Sequence, residues 1–259
     1  MRWLVGSVVI LLALACGLGD ALADAARDQT RGPGARRLSH RSRSLGFAFQ
    51  GKLRNGVRLR ESRFVRYVPE YAAAGNHYGT WELVQLLERA AYRVSRRVRD
   101  ASAKLSVGEL SRENGGRIPG HASHQNGRDV DLAFYMLDAR GRPYEPYAFA
   151  EFDANGRGTG ANSILTFDDA RNWELVAKLV ADGDAKVQFI FVADVLKQRL
   201  LREGRRRRAS GVLLERAARA MVQPAEGHRH ANHFHVRIYC PPAARPVCRD
   251  RAPFHPWYR

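Results

Sequence analysis

The sequence predicts an α+β fold: a single domain with a central antiparallel sheet, flanked by helices and long loops. Short strand-like runs and amphipathic helical stretches follow one another in mixed order, with few of the strand–helix–strand crossovers that a parallel sheet requires. The segment HFHVRIYC, residues 233–240, alternates as a half-buried strand does. No internal repeat is visible, and 259 residues suffice for one sizeable core.

In chain order, GFAFQGKLRNGVRLRES (46–62) alternates and carries an Asn55-Gly56 dipeptide, which predicts a hairpin turning there. Thr80 is placed to cap a helix through WELVQLLERAAYRVSRRV (81–98), with Leu83, Leu86, Leu87, Ala90, Ala91 and Val94 on its apolar stripe. KLSVGELS (104–111) reads as a strand, the Gly-rich RENGGRIPGHASHQNGRD as turns, and VDLAFYML (130–137) as a second strand. Residues 138–166 read as a long loop rich in Gly, Pro, Asn and aromatics. Then follow a capped helix in DDARNWELVAKLVADG, a buried strand in VQFIFVA, a helix in DVLKQRLLREG ended by Gly204, and a helix in GVLLERAARAMV. Arg205 to Arg208 read as a solvated turn.

The N-terminus bounds the compartment. Arg2, the apolar run WLVGSVVILLALA and the small-residue pattern ending at Ala23 predict a signal peptide over residues 1–23. The run is too short for a membrane span. Ordinary cleavage is expected over a lipid anchor at Cys16, because Ala13 stands three before it where lipoprotein processing prefers a bulkier aliphatic residue. Residues 24–43, rich in Arg, Gly and Ser, read as a disordered basic leader, which leaves 44–259 as the folded domain. Cleavage would leave Cys240 and Cys248, eight apart, expected to close a disulfide in an oxidising compartment. The net charge of +17 favours anionic partners, and export makes nucleic acid the weakest of these.

Six of the nine histidines fall in two windows. The first, GHASHQNGRDVDL (120–132), holds His121 and His124, with Asp131 seven residues after His124. The second, HRHANHFHV (228–236), holds His228, His230, His233 and His235. Residues two apart in a strand share a face, so His233 and His235 point one way, as do Asp129 and Asp131. Were the two strands neighbours, Asp131 and His235 would converge, with His124 reaching in from the loop. Two imidazoles and a carboxylate with one position open is the composition of a catalytic zinc site; structural zinc sites are usually closed by cysteine. Asp129 fits either a partner behind the ligands or a solvent-facing strand start. His228 reads as lying outside the site, and His40, His77 and His255 have no partner nearby in sequence. No serine has a nucleophile-elbow context and there is no phosphate loop.

The stretch GGRIPGHASHQNGRDVDL, the later His230-x-x-His233-x-His235 and the following VRIYCP resemble the penicillin-insensitive murein endopeptidases. These belong to the wider lysostaphin, D-Ala-D-Ala peptidase and Sonic hedgehog zinc superfamily. The resemblance runs from Ser44 to Cys248 and takes in SLG, YGTWELVQLL and GELSRENGG. It implies a periplasmic zinc metallopeptidase that cuts the D-alanyl to meso-diaminopimelyl cross-link of peptidoglycan without an acyl-serine, hence insensitive to penicillin. Carried over motif to motif, it implies His124, Asp131 and His235 as metal ligands, with His121 a further ligand or a group behind them. It implies His233 as general base or oxyanion stabiliser and His230 as an electrostatic helper.

Some relatives have more disulfides than the one expected here. Some also carry an Asp-x-x-His for a second zinc; no histidine occurs between Leu132 and Gly227, so one ion is expected. A D,D-carboxypeptidase or dipeptidase on the same scaffold, and a non-catalytic wall-binding module with a structural metal, are the alternative readings.

Overall fold

The computed structural model describes residues 42–98 and 103–258. The signal segment, the basic leader up to residue 41 and His40 lie outside them. Among the described residues no helix is long and apolar enough to cross a membrane.

The architecture is α+β. A six-stranded mixed sheet carries the site, built from β4 (Val65–Tyr67), β6 (Leu105–Val107), β7 (Asp129–Ala133), β11 (Val187–Phe191), β12 (Met221–Val222) and β13 (His233–Ile238). Its order is β12-β11-β13-β7-β6-β4. The middle pairings, β11 with β13, β13 with β7 and β7 with β6, are antiparallel, as expected from sequence. The two outermost, β12 on β11 and β4 on β6, are parallel.

Strand alternation divides the central strands into two faces. Val130, Leu132, Phe234 and Val236 are fully buried in the apolar cluster that also receives helices α2 (Trp81–Arg97) and α3 (Asp169–Ala181). Asp129, Asp131, His233, His235 and Arg237 take the alternate positions of the same strands. The apolar face anchors the sheet: each fully buried aliphatic side chain contributes roughly 1.5–3 kcal/mol by leaving water.

The helices start where their caps predict. Thr80 accepts a hydrogen bond from Leu83 N–H at 3.3 Å, and every residue of the expected stripe of α2 is buried. Asp168 does the same for α3 through Arg171 N–H, at 3.0 Å.

Several boundaries differ from expectation. Helix α4 (Asp194–Arg206) does not end at Gly204. A Cβ at Gly204 would lie 2.5 Å from the Trp173 ring, so the glycine serves close approach of α3 and α4, not termination. Glu203 carries the helix onward by pairing with Arg206 at 2.6 Å and Arg207 at 2.6 Å, so part of the arginine run is tied down.

The N-terminal hairpin, β1 (Arg43–Phe47) with β2 (Gln50–Arg54), turns at Ala48 and Phe49 because Phe47 pairs with Gln50. Asn55, at φ 50°, instead redirects the chain into β3 (Val57–Arg58), which pairs with β5 (Tyr78–Gly79). Strand β1 begins at Arg43, inside the stretch read as leader. The stretch 130–137, read as one strand, is broken into β7 and β8 (Met136–Leu137), and β8 forms a small sheet with β9 (Pro143–Tyr144) and β10 (Thr166–Phe167) from the stretch read as a long loop and its end. Cys240 and Cys248 are joined in a disulfide.

Candidate metal centre

Asp131 and His235 face each other directly across the β7–β13 pair. The Asp131 Oδ1 atom lies 3.3 Å from His235 Nδ1, 3.3 Å from His124 Nε2 and 3.4 Å from His233 Nε2. On the other carboxylate oxygen, Oδ2 is 3.7 Å from His121 Nδ1. His121, His124 and Asp131 form a group whose donor atoms all lie within 4.8 Å of one another. Four of the histidines named from sequence therefore bring a ring nitrogen to one carboxylate. His230 stands further back: its ring centre is 4.9 Å from that of His233 and 5.7 Å from that of His235.

Each inner histidine is oriented by a hydrogen bond from its far nitrogen. His124 Nδ1 donates to the Leu110 carbonyl at 2.7 Å, which leaves Nε2 as the nitrogen that faces Asp131. The His124 carbonyl accepts from Ser111 Oγ at 2.6 Å, holding a non-glycine residue at φ 66°. That left-handed conformation costs about 1–3 kcal/mol and persists only where its surroundings impose it. His235 Nε2 donates to Asp129 Oδ1 at 2.8 Å, so Nδ1 is the free nitrogen facing Asp131. Asp129 also accepts from Arg237 Nε at 2.7 Å and Ser123 Oγ at 3.3 Å. It is fully buried, so of the two readings open from sequence, the one behind the ligands matches its place and the solvent-facing one does not.

The resulting electrostatics favour a cation. His124 Nε2 and Asp131 Oδ1 are buried and have no hydrogen-bond partner. Burial would raise the Asp131 carboxyl, but the charges of His124 and His233 outweigh it and hold the group well below the usual carboxylate range. Burial likewise opposes a charged His124, yet Asp131 raises that imidazole to about 9. Burial, and after it the neighbouring His233 and His235, lowers His230 to about 3, so its ring is neutral at physiological pH. Burial also lowers His235.

The donor set fits a zinc-type ion. His124 Nε2 and His235 Nδ1 each lie 3.3 Å from Asp131 Oδ1, about the spacing of donors that share one tetrahedral ion. Imidazole nitrogen with carboxylate oxygen is a borderline set that suits zinc better than calcium or magnesium.

Three contributors escaped the sequence reading. Glu109 pairs with His121 Nε2 at 2.7 Å and is itself fixed by Asn76 Nδ2 at 2.6 Å. Burial pushes Glu109 up, but these two partners hold its carboxyl below the ordinary range. Phe149 stacks on the His233 ring at 4.6 Å, and a Cβ at Gly108 would lie 2.5 Å from it, so glycine is needed there. The signal for Glu109 was a lone carboxylate inside the apolar run VGEL; for Phe149 there was none. His228, read as outside the site, stacks on His233 at 5.8 Å, because its loop folds back over the start of β13. His77 and His255, which lack sequence neighbours, stack on Tyr67 at 3.6 Å and bond to the Gln188 carbonyl at 3.1 Å respectively.

A family model described as penicillin-insensitive murein endopeptidase matches residues 44–256. Curated relatives bearing that name are 29% identical. One from Haemophilus influenzae aligns over 188 residues, 68% of this chain and 56% of that protein. One from Klebsiella pneumoniae aligns over 181 residues, 68% and 59%, and one from Escherichia coli over 176 residues, 68% and 58%. The chain thus spans less than two thirds of the length of the relatives it matches. With a family match that runs through both histidine windows and the sheet joining them, this chain belongs to the penicillin-insensitive murein endopeptidase family.

Proposed function

We propose that the chain is an exported, periplasmic zinc endopeptidase that hydrolyses the D-alanyl to meso-diaminopimelyl peptide cross-link of peptidoglycan. The observation that carries this reading is the set of three ring nitrogens at 3.3, 3.3 and 3.4 Å from one buried, unpartnered carboxylate oxygen. His124, Asp131 and His235 would hold the ion, with His121 as a further donor. When bound, zinc polarises a carbonyl and lowers the pKa of a water to about 7.

The remaining chemistry belongs to the side chains. His233 donates Nδ1–H to Asn232 Oδ1 at 2.7 Å, so its Nε2 carries the lone pair on the side facing Asp131. In this reading His233 takes the proton of the attacking water at Nε2 and returns it to the departing amine of the diaminopimelyl residue. Phe149 keeps the ring in plane for both transfers. The neutral His230, whose Nδ1–H is held by the His228 carbonyl, offers Nε2 as a hydrogen-bond acceptor beside it without adding charge. The strongly positive chain would draw it to the carboxylate-bearing wall.

Digestion of purified cross-linked muropeptide dimers, followed by mass spectrometry, tests the reading. Conversion of dimers to intact monomers is expected, stopped by chelator, restored by zinc and reduced more than about 100-fold in His124→Ala, beyond what loss of a group behind a ligand usually costs. Release of terminal D-alanine alone would reassign the chain as a carboxypeptidase. Zinc-loaded protein that binds wall without cutting it would make it a binding module.

A further inference from the structure

The segment joining β6 to the motif loop behaves as a rail for the site. Its Gly108 N–H donates to the Asp131 carbonyl at 2.8 Å, and the Glu109 carbonyl accepts from Asp131 N–H at 2.9 Å. The Leu110 carbonyl accepts from His124 Nδ1–H at 2.7 Å. One part of this rail acts through a side chain. Glu109 Oε2 lies 2.7 Å from His121 Nε2, and its other oxygen accepts from Asn76 Nδ2 at 2.6 Å. Asn76 is locked in turn, because its carbonyl accepts from Leu110 N–H at 2.7 Å. Glu109 and Asn76 are both buried, at 8% and 7% exposure, so the carboxylate has been taken out of water for a partner.

An ionised carboxylate only accepts, so the His121 nitrogen facing it carries the proton. The other nitrogen, Nδ1, then presents its lone pair to Asp131 Oδ2 at 3.7 Å. Two acceptors facing each other repel unless a cation lies between them. His235 is arranged the same way by Asp129, and His124 by a backbone carbonyl.

From this geometry we propose that Glu109, braced by Asn76, is a positioning residue: it fixes the tautomer and ring orientation of His121 and so recruits His121 as a metal donor. The proposal rests on the reading of the site as a metal centre. A carboxylate behind a ligating imidazole is worth about 10–100-fold in metal affinity.

The test uses Zn²⁺ itself, titrated against a chromophoric chelator, in wild type, Glu109→Ala, Glu109→Gln, His121→Ala and the Glu109→Ala/His121→Ala double variant. Long-range ¹H–¹⁵N spectra of the metal-free proteins report the His121 tautomer. The expected outcome is an Nε2–H tautomer in wild type and a mixture in Glu109→Ala, with zinc bound about 10–100-fold more weakly by that variant. Glu109→Gln, which keeps an acceptor oxygen, loses less. In the His121→Ala background, Glu109→Ala costs nothing further, since a residue acting only through His121 is non-additive with its loss.

An Nδ1–H tautomer in wild type, unchanged zinc affinity in Glu109→Ala, or an equal loss with and without His121 overturns the proposal. Should Glu109→Ala not fold, the Glu109→Gln affinity and tautomer decide alone. A wild-type protein that binds zinc and shows this coupling, yet cuts no dimer, refutes the endopeptidase reading and leaves the role of Glu109 standing.

Discussion

His124 and His230 share an unusual backbone conformation, with φ of 66° and 54°, and occupy opposite surroundings. His124 is fully buried, its ring tied to the Leu110 carbonyl and its own carbonyl tied to Ser111. The partners of His230 are mostly its own loop: its N–H donates to His228 Nδ1 at 3.1 Å and its Nδ1 to the His228 carbonyl at 2.7 Å. Beyond the loop it relies on ring contacts, such as Phe191 at 5.7 Å, and on its carbonyl accepting from Ala193 N–H. The difference separates two jobs. The first cluster is braced by strand and rail at every donor, as an ion demands. In the proposed reading, the second offers His233 and His230 to a substrate from the loop side.

The largest effect expected from breaking this contrast lies in the braced half. Asp129 holds His235 at 2.8 Å and Arg237 at 2.7 Å from full burial. Asp129→Asn should weaken zinc binding about 10–100-fold and lower dimer cleavage with it, measured by competition titration and by turnover at saturating zinc. If turnover recovers fully at high zinc, Asp129 serves affinity alone. If affinity is unchanged, the bracing of the first cluster carries no energy and the contrast fails.

A smaller effect is expected on the substrate side. Phe149 touches His233 by parallel stacking at 4.6 Å and is backed by Tyr71 at 4.7 Å. Removing a ring contact of this kind is worth about 0.5–1.5 kcal/mol, so Phe149→Ala should lower kcat about 2–10-fold. Zinc affinity should stay within about 2-fold of wild type. An affinity loss as large as that of Asp129→Asn would mean that the two clusters are one mechanical unit.

What could be read from sequence follows from what each pattern encodes. Period-two alternation put Asp129 with Asp131 and His233 with His235 on shared faces, and the observed register sets His235 against Asp131. Caps placed helix starts at Thr80 and Asp168 because a capping side chain bonds only three residues away. The rail was not legible. That Leu110 offers its carbonyl to His124 depends on how the chain leaves β6, and every residue has a carbonyl. Glu109 meets Asn76 from 33 residues away, through a contact that no local spacing announces. Gly204 misled for the same reason: glycine signals a helix end or a close approach, and only the position of Trp173 decides which.

The smallest effect should come from outside both clusters, where a buried ion pair joins the helices beneath the sheet. Asp182, at the end of α3, accepts from Arg89 of α2 at 2.9 and 2.7 Å, and its side chain is 2% exposed. Burial alone would raise its carboxyl, but the hydrogen bonds and charge of Arg89 outweigh that and hold it below the ordinary value of 3.8. A depressed folded-state pKa adds stability that is fully present above the unfolded value and fades as pH falls through the folded one. Asp182→Asn should therefore cost about 1–3 kcal/mol in urea melts of the metal-free protein at pH 7. The gap should hold down to about pH 5 and shrink below about pH 4, where Asp182 of the unfolded chain binds its proton while that of the folded protein stays charged. Zinc affinity and turnover at neutral pH should match wild type, because the Asp182 side chain pairs with Arg89, Lys178 and the backbone N–H groups of Asp184 and Ala185, none of which orients a histidine. A gap that widens towards acid would reverse the sign and place a different group in control. A loss of zinc binding would show that the helix layer tunes the site, and that the bracing extends beyond the rail into the core.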